Sequence, residues 1–178
     1  MKTGFIGAGK VGFSLGRLFA ENGIPLTGYY SRQRESAEEA ANFTGTHAYS
    51  DLCELVQDSD AIFLTVPDRT ITSVYLELRS FSLSGKQICH CSGALSAREA
   101  FPGLAETGAL GLSIHPLFPV SSRYDSYREL ADAFFCLEGD FEAVSAWKPL
   151  LERCGCTVQT ISAEGKPLYH AACATASN

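Results

Sequence analysis

Thr3-Gly4-Phe5-Ile6-Gly7-Ala8-Gly9-Lys10-Val11-Gly12 opens the chain as a short apolar strand running straight into G-x-G-x-x-G. Three spaced glycines alone say little. Here they are followed by a helical pattern from Lys10 to Asn22, with Val11, Leu15, Leu18 and Phe19 on one stripe and Gly23 as a stop. Strand, glycine turn and helix together make the pattern specific. Gly7 suits a tight turn, Gly9 lets the backbone approach a pyrophosphate, and Gly12 lets the helix lie close to the strand. The helix start then offers unpaired N–H groups and a positive dipole end to an anion. Gly7, Ala8, Gly9, Lys10, Val11 and Gly12 are therefore candidate dinucleotide contacts.

The same alternation continues outward. Ile24 to Tyr30 reads as a strand, Glu35 to Phe43 as a helix ended by Gly45, and His47 to Tyr49 as a strand. Asp51 is placed to cap a helix over Leu52 to Gln57. Asp60 to Val66 is a nearly continuous apolar run, the mark of a strand buried on both faces, and Pro67 ends it. The spacing of Ile71, Val74, Leu78 and Phe81 predicts a helix over Thr70 to Phe81. Strands follow at Gln87–Cys91, Leu110–His115, Ala133–Leu137 and Cys156–Ile161, with a helix capped by Asp140 running to Cys154. This order predicts an α/β fold with a doubly wound, mostly parallel sheet. Residues 1–164 read as one dinucleotide-binding domain, and residues 165–178 as the start of a helical domain that is largely absent from the chain.

The end of the second strand selects the dinucleotide. An acid about 20 residues beyond the glycines would hold an adenosine ribose hydroxyl. The sequence instead reads Tyr29-Tyr30-Ser31-Arg32-Gln33-Arg34, with no acid before Glu35. Ser31 and Arg32 suit a 2′-phosphate, and Arg34 offers a second positive charge. The cofactor expected is NADP(H).

Other candidates lie at strand ends, where open α/β sheets bind ligands. Val66, Pro67 and Asp68 end the fourth strand, and Asp68 reads as a helix cap. Ser92 follows the fifth strand and is a candidate contact to nicotinamide or substrate. His115 ends the sixth, and an imidazole titrating near working pH can polarise or protonate a carbonyl or imine. His90 reads as a satisfied core histidine and His47 as a surface one. Cys89-His90-Cys91 and Cys154-Gly155-Cys156 have one residue between cysteines, against the two to four usual in zinc sites; both read as core strand thiols, and no metal is expected.

Composition narrows the function classes. With 46% hydrophobic and 19% charged residues over 178, the chain can bury a core and is not a disordered tail. The net charge of −6 argues against a nucleic-acid-coating protein. Yet Lys2, Lys10, Arg17, Arg32 and Arg34 face only Glu21 among residues 1–34; Lys10 flanks the glycine turn and Arg32 and Arg34 fall where a 2′-phosphate would lie, while Lys2 and Arg17 have no such assignment. Seven cysteines, an odd number, with no signal peptide and no long apolar run, suggest a cytoplasmic protein with free thiols and no membrane partner.

Gly4–Gly12, Tyr30-Ser31-Arg32 and Val66-Pro67-Asp68 resemble the amino-terminal domains of the 6-phosphogluconate dehydrogenase-like superfamily. That group includes pyrroline-5-carboxylate reductases, hydroxyisobutyrate dehydrogenases and prephenate dehydrogenases. More narrowly, His90-Cys91-Ser92-Gly93-Ala94-Leu95-Ser96, Ser113-Ile114-His115-Pro116-Leu117, Phe135-Cys136-Leu137-Glu138-Gly139-Asp140 and Lys166-Pro167-Leu168-Tyr169-His170-Ala171-Ala172 are similar to NADP-dependent oxidoreductases in which a Rossmann-like domain precedes a helical domain of unknown function. The resemblance implies about eight strands, a homodimer built through the helical domain and an active site between the domains. It adds Lys166, His170 and Asn178 as candidates at the start of the inter-domain helix. The glycine-rich pattern that precedes the lysine of hydroxyisobutyrate dehydrogenases is missing, which argues against a 3-hydroxy acid substrate. The expected function is hydride transfer to or from a small carbonyl, alcohol or imine substrate, with Ser92, His115 and His170 foremost among the catalytic candidates. The His115-Pro116 pair leaves a prephenate-dehydrogenase-like enzyme as one alternative, and a non-catalytic NADPH-binding sensor or scaffold as another.

Overall fold

The computed structural model describes residues 1–176. In chain order the elements are β1 (Thr3–Ile6), α1 (Lys10–Glu21), β2 (Leu26–Tyr30), α2 (Arg34–Thr44), β3 (His47–Tyr49), α3 (Leu52–Asp58), β4 (Ala61–Leu64) and α4 (Asp68–Leu78). They continue with β5 (Gln87–His90), α5 (Ala97–Ala100), β6 (Leu110–Leu117), α6 (Ser126–Leu130), β7 (Phe134–Gly139), α7 (Phe141–Arg153), β8 (Thr157–Thr160) and α8 (Lys166–Ala176). Short 3-10 turns at Leu104–Thr107 and Ala163–Gly165 lead into β6 and α8. The strands form one eight-stranded sheet in the order β3-β2-β1-β4-β5-β6-β7-β8. Among the described residues only the β6–β7 pairing is antiparallel. The chain winds outward from β1 through β2 to β3, then crosses back to β4 on the other side of β1. That reversal opens a crevice at the carboxyl ends of β1 and β4.

β4 shows why the sheet is covered on both faces. Ala61, Ile62, Phe63 and Leu64 are all fully buried. Ala61 and Phe63 join a core with α1, α2, α6 and α7, whereas Ile62 and Leu64 join a second core with α3, α4 and α5. The first core is aromatic: the Phe63 ring lies 5.4 Å from Phe5, 5.6 Å from Phe19 and 4.9 Å from Trp147. Trp147 Nε1 donates to Gln87 Oε1 at 2.7 Å, so this buried ring leaves no orphaned N–H. Among the described residues no helix is long and apolar enough to cross a membrane.

Several local expectations change. Helix α4 begins at Asp68 rather than Thr70, with Pro67 as its cap residue, so Asp68 is the first helical residue and not the cap. Asp140 sits at the cap position of α7 but turns its carboxylate away from the helix, accepting from Gly111 N at 2.6 Å. Cys154-Gly155-Cys156 forms the turn between α7 and β8 rather than part of a strand, with Gly155 at φ +91°. Helices α5 and α6 escape a periodicity search because four or five residues cannot display a stripe. A signal for α5 was nevertheless present. Ser96-x-x-Glu99 forms a capping box, Ser96 Oγ accepting from Glu99 N at 3.2 Å and Glu99 Oε2 from Ser96 N at 2.9 Å.

Because Phe63 joins several rings of one core, Phe63→Ala should destabilise the fold by about 3–5 kcal/mol. The expected readout is a lower urea midpoint with an unchanged slope; a loss below about 1 kcal/mol, well short of that range, would show that the core does not turn on this ring.

Candidate functional site

The crevice at the β1/β4 switch is a cleft of about 890 Å³. Gly7, Ala8 and Gly9 line it, together with Ser31 and Arg32 from the end of β2 and Val66 and Pro67 from the end of β4. Gly7 takes φ +102°, and a side chain there would strike Thr65 O at 2.6 Å. Gly12 plays a different part: its missing Cβ would fall 2.6 Å from both Gly7 O and Thr65 Oγ1, so it seats α1 against the turn. At Gly9 the nearest atom to such a Cβ is Thr65 O at 4.0 Å. That face opens on the cleft, and a side chain there would fill space that a pyrophosphate needs.

Lys10, Val11 and Gly12 make the first turn of α1 rather than lining the cleft. That turn has no side-chain cap and no acidic residue, which leaves its amides available to an anion. At the other end of the cleft, Ser31 Oγ accepts from Gln33 N at 3.3 Å. Arg32 is exposed and makes no ion pair among the described residues. Arg34 departs from expectation. It lies outside the cleft lining and pairs with Glu38 at 2.8 Å, because one helical turn along α2 sets the two side by side in solvent.

A second cluster begins where Pro67 leaves the cleft. Ser92 Oγ donates to Asp68 Oδ2 at 2.6 Å and accepts from Ala94 N and Leu95 N at 3.2 and 3.1 Å. The Ser92 hydroxyl is therefore occupied in shaping the turn after β5, and Asp68 is its anchor. From α8, Lys166 reaches into the sheet and is fully buried. Its Nζ donates to Ser92 O at 3.1 Å and to Ser113 Oγ. Burial lowers the Lys166 pKa, opposed chiefly by the charge of Glu138. A buried ammonium held by a carbonyl and a hydroxyl, with no ion pair among the described residues, is a common mark of a functional site.

His115 Nδ1 lies 2.7 Å from the Tyr169 hydroxyl. Gly93 packs over the ring so closely that a Cβ there would fall 2.7 Å from His115 Nε2. Burial first, and then the Lys166 charge, push the His115 pKa down to about 4. This corrects the expectation of an imidazole titrating near neutrality: at pH 7 His115 is neutral. His90 also departs from its reading. Its Nδ1 accepts from Ser92 N at 3.1 Å, but its Nε2, buried beside Phe101, has no hydrogen-bond partner within 3.5 Å among the described residues. Burial holds it, too, in the neutral form, with a pKa of about 3.

His170 is exposed and acts on His115 only through charge. Asn178 lies outside the described residues. No cluster of three or more potential metal ligands occurs among the described residues. Sequence reasoning passed over Ser113 and Tyr169, although both carried a signal. Ser113 and His115 share a strand face at i, i+2, and Tyr169 follows Lys166 at i, i+3 on one helix face.

Residues 2–92 match the family described as NADP oxidoreductase coenzyme F420-dependent. The chain belongs to that family. Residues 133–178 match a domain of unknown function, DUF2520. Among solved structures, protein TM1727 from Thermotoga maritima is 30% identical, with a TM-score of 0.75 over 99% of this chain and 63% of that one. An imine reductase from Myxococcus stipitatus gives 19% identity and a TM-score of 0.79 over 99% of this chain and 59% of its own. For the 3-hydroxyisobutyrate dehydrogenase of Mycobacterium tuberculosis the values are 20% and 0.76, over 96% and 58%. At such identities the last two establish a shared fold. This NADP oxidoreductase family member spans less than two thirds of each of those three structures. No curated protein matches the sequence.

The histidines make stability depend on pH. In the unfolded chain His115 binds a proton near its ordinary value of 6.5, whereas in the fold it does so only near 4. The unfolded state therefore binds more protons between those values, and stability falls as pH is lowered through that window. The Tm should drop from pH 7 to pH 5, and drop less in His115→Asn, which cannot titrate. Identical profiles for the two proteins would contradict the burial assigned to His115.

Proposed function

We propose that the chain is the cofactor-binding part of an NADP(H)-dependent oxidoreductase acting on a small carbonyl, alcohol or imine substrate. The observation that carries this reading is one cleft joining an uncapped, acid-free helix start at Gly9 to Ser31 and Arg32, with no carboxylate at the end of β2. The family description supports it. So do two solved neighbours, a reductive aminase from Aspergillus terreus in complex with NADPH and a protein designated Psf3 in complex with NADP+. Gly7 to Gly12 would hold the pyrophosphate, Ser31 and Arg32 the 2′-phosphate, and Val66 and Pro67 the wall beside the adenosine. When bound, the cofactor supplies or takes up hydride.

The chain's own groups account for the proton. Lys166 has two of its three N–H donors on Ser92 O and Ser113 Oγ; it is fully buried here, so its third would meet a substrate heteroatom only where binding displaces part of that cover. Burial lowers its pKa, which eases release of a proton from the ammonium. Neutral His115, held in place by Tyr169, would help to orient the substrate beside it. Asp68 and Ser92 are positioning residues. Residues 1–164 form the dinucleotide domain in this reading, and residues 165–178 open a helical domain through which two copies pair. The exposed Leu168 on α8 suits such a contact.

Titration with NADPH and NADH tests the cofactor assignment directly. Wild type should prefer NADPH, and Arg32→Ala should weaken NADPH selectively by about 10- to 100-fold, as expected for losing a charge-assisted bond worth about 1.5–3 kcal/mol. Equal affinities in wild type would remove the assignment. For catalysis, the full-length protein should oxidise NADPH with a member of a carbonyl and imine panel. Lys166→Met should lower kcat by about 10²–10⁴-fold at unchanged NADPH affinity. Tight binding without turnover on any panel member would favour the sensor instead.

A further inference from the structure

The cleft is lined by a further cation that spacing along β2 and α2 does not reveal. Arg123, from the loop between β6 and α6, lines the same cleft as Ser31, Arg32 and Ser36. Its position is fixed from two sides. Nη1 donates to Glu39 Oε2 at 2.9 Å, and the guanidinium lies 5.1 Å above the Phe13 ring. Glu39 is itself held, because its other oxygen accepts from the Tyr124 hydroxyl. Phe13 lies one turn beyond Gly9 on α1, and Glu39 one turn beyond Ser36 on α2. The guanidinium thus stands between the starts of the two helices that face the cofactor cleft.

We propose that Arg123 is a second cation for the cofactor's 2′-phosphate, taking the part that spacing assigned to Arg34. This rests on the NADP(H) reading above. A guanidinium has five N–H donors in a planar fork, and Glu39 takes donors from one edge only. The Arg123 side chain keeps 37% of its surface exposed, so the remaining edge is open to an incoming phosphate. The Glu39 carboxylate offsets part of the guanidinium charge, so the attraction for a phosphate rests on Arg123 together with Arg32, which makes no ion pair among the described residues. The face of Phe13 fixes the plane of the fork before the ligand arrives. Arg34 is also paired with a carboxylate, Glu38, but it lies outside the cleft lining, and that sets the two arginines apart.

The same contacts would equally staple the loop to α2 without touching a ligand, so the test must separate binding from stapling. Dissociation constants for NADPH and NADH are measured on wild type, Arg123→Ala, Arg123→Lys and Tyr124→Phe, with Tm recorded for each. Arg123→Ala should weaken NADPH by about tenfold or more and change NADH by less than about twofold. Arg123→Lys should fall between, since it keeps the charge and loses the fork. Tyr124→Phe, which loosens only the staple, should leave the NADPH-to-NADH ratio unchanged. A lower Tm with an unchanged ratio in Arg123→Ala would make Arg123 a staple and overturn the proposal. Equal losses for both cofactors would overturn it as well, by moving the contact to the shared pyrophosphate. If wild type itself fails to prefer NADPH, the cofactor reading fails first; if wild type prefers NADPH and Arg123→Ala keeps that preference, only the role of Arg123 fails.

Discussion

Everything at the cleft depends on how closely the turn after β1 passes the end of β4. Thr65 Oγ1 donates to Gly7 O at 2.7 Å, and Thr65 N to Ile6 O at 2.9 Å. The approach is closer than any side chain on Gly7 or Gly12 would permit. It draws the start of α1 to the point where the strand order reverses, and so puts a helix N-terminus at the mouth of the crevice. Were the turn to stand off, the α1 amides and the wall formed by Val66 and Pro67 would no longer face one space.

A similar constraint ties α8 to the sheet. Lys166 is fully buried, and its hydrogen bonds join the turn after β5 to Ser113 of β6. Tyr169, one turn later, meets His115. The first turns of α8 are thus fastened to the strand ends by polar contacts, while Leu168 between them is exposed. Burying an amine without an ion pair costs stability that an apolar residue would not. The arrangement makes physical sense where the amine has chemical work, and its field also helps to keep His115 and His90 neutral.

Local pattern made much of this legible. β3 falls at the predicted His47 to Tyr49, α1 begins at Lys10, and Asp51 caps α3 by accepting from Cys53 N at 2.8 Å. Period and capping act within a few residues, which is why a linear reading finds them. The same logic misplaced Asp68, because Pro67 takes the cap position and the Asp68 carboxylate, one residue into the helix, receives Ser92 instead. It also nominated Arg34 by proximity to Arg32, where helical geometry gives Arg34 to Glu38.

The amino-acid sequence by itself determined the alternation of strands and helices, the glycine turn, and the absence of an acid beyond β2; together these specify the sheet and the kind of dinucleotide it suits. Tertiary structure alone decided the protonation of His115, the pairing of Ser92 with Asp68 and of His115 with Tyr169, and the presence of Arg123 in the cleft. The reason is physical. A pKa follows from burial and from charges supplied by distant segments, and a hydrogen-bond partner from which strand ends converge; neither is a property of neighbouring residues in the chain.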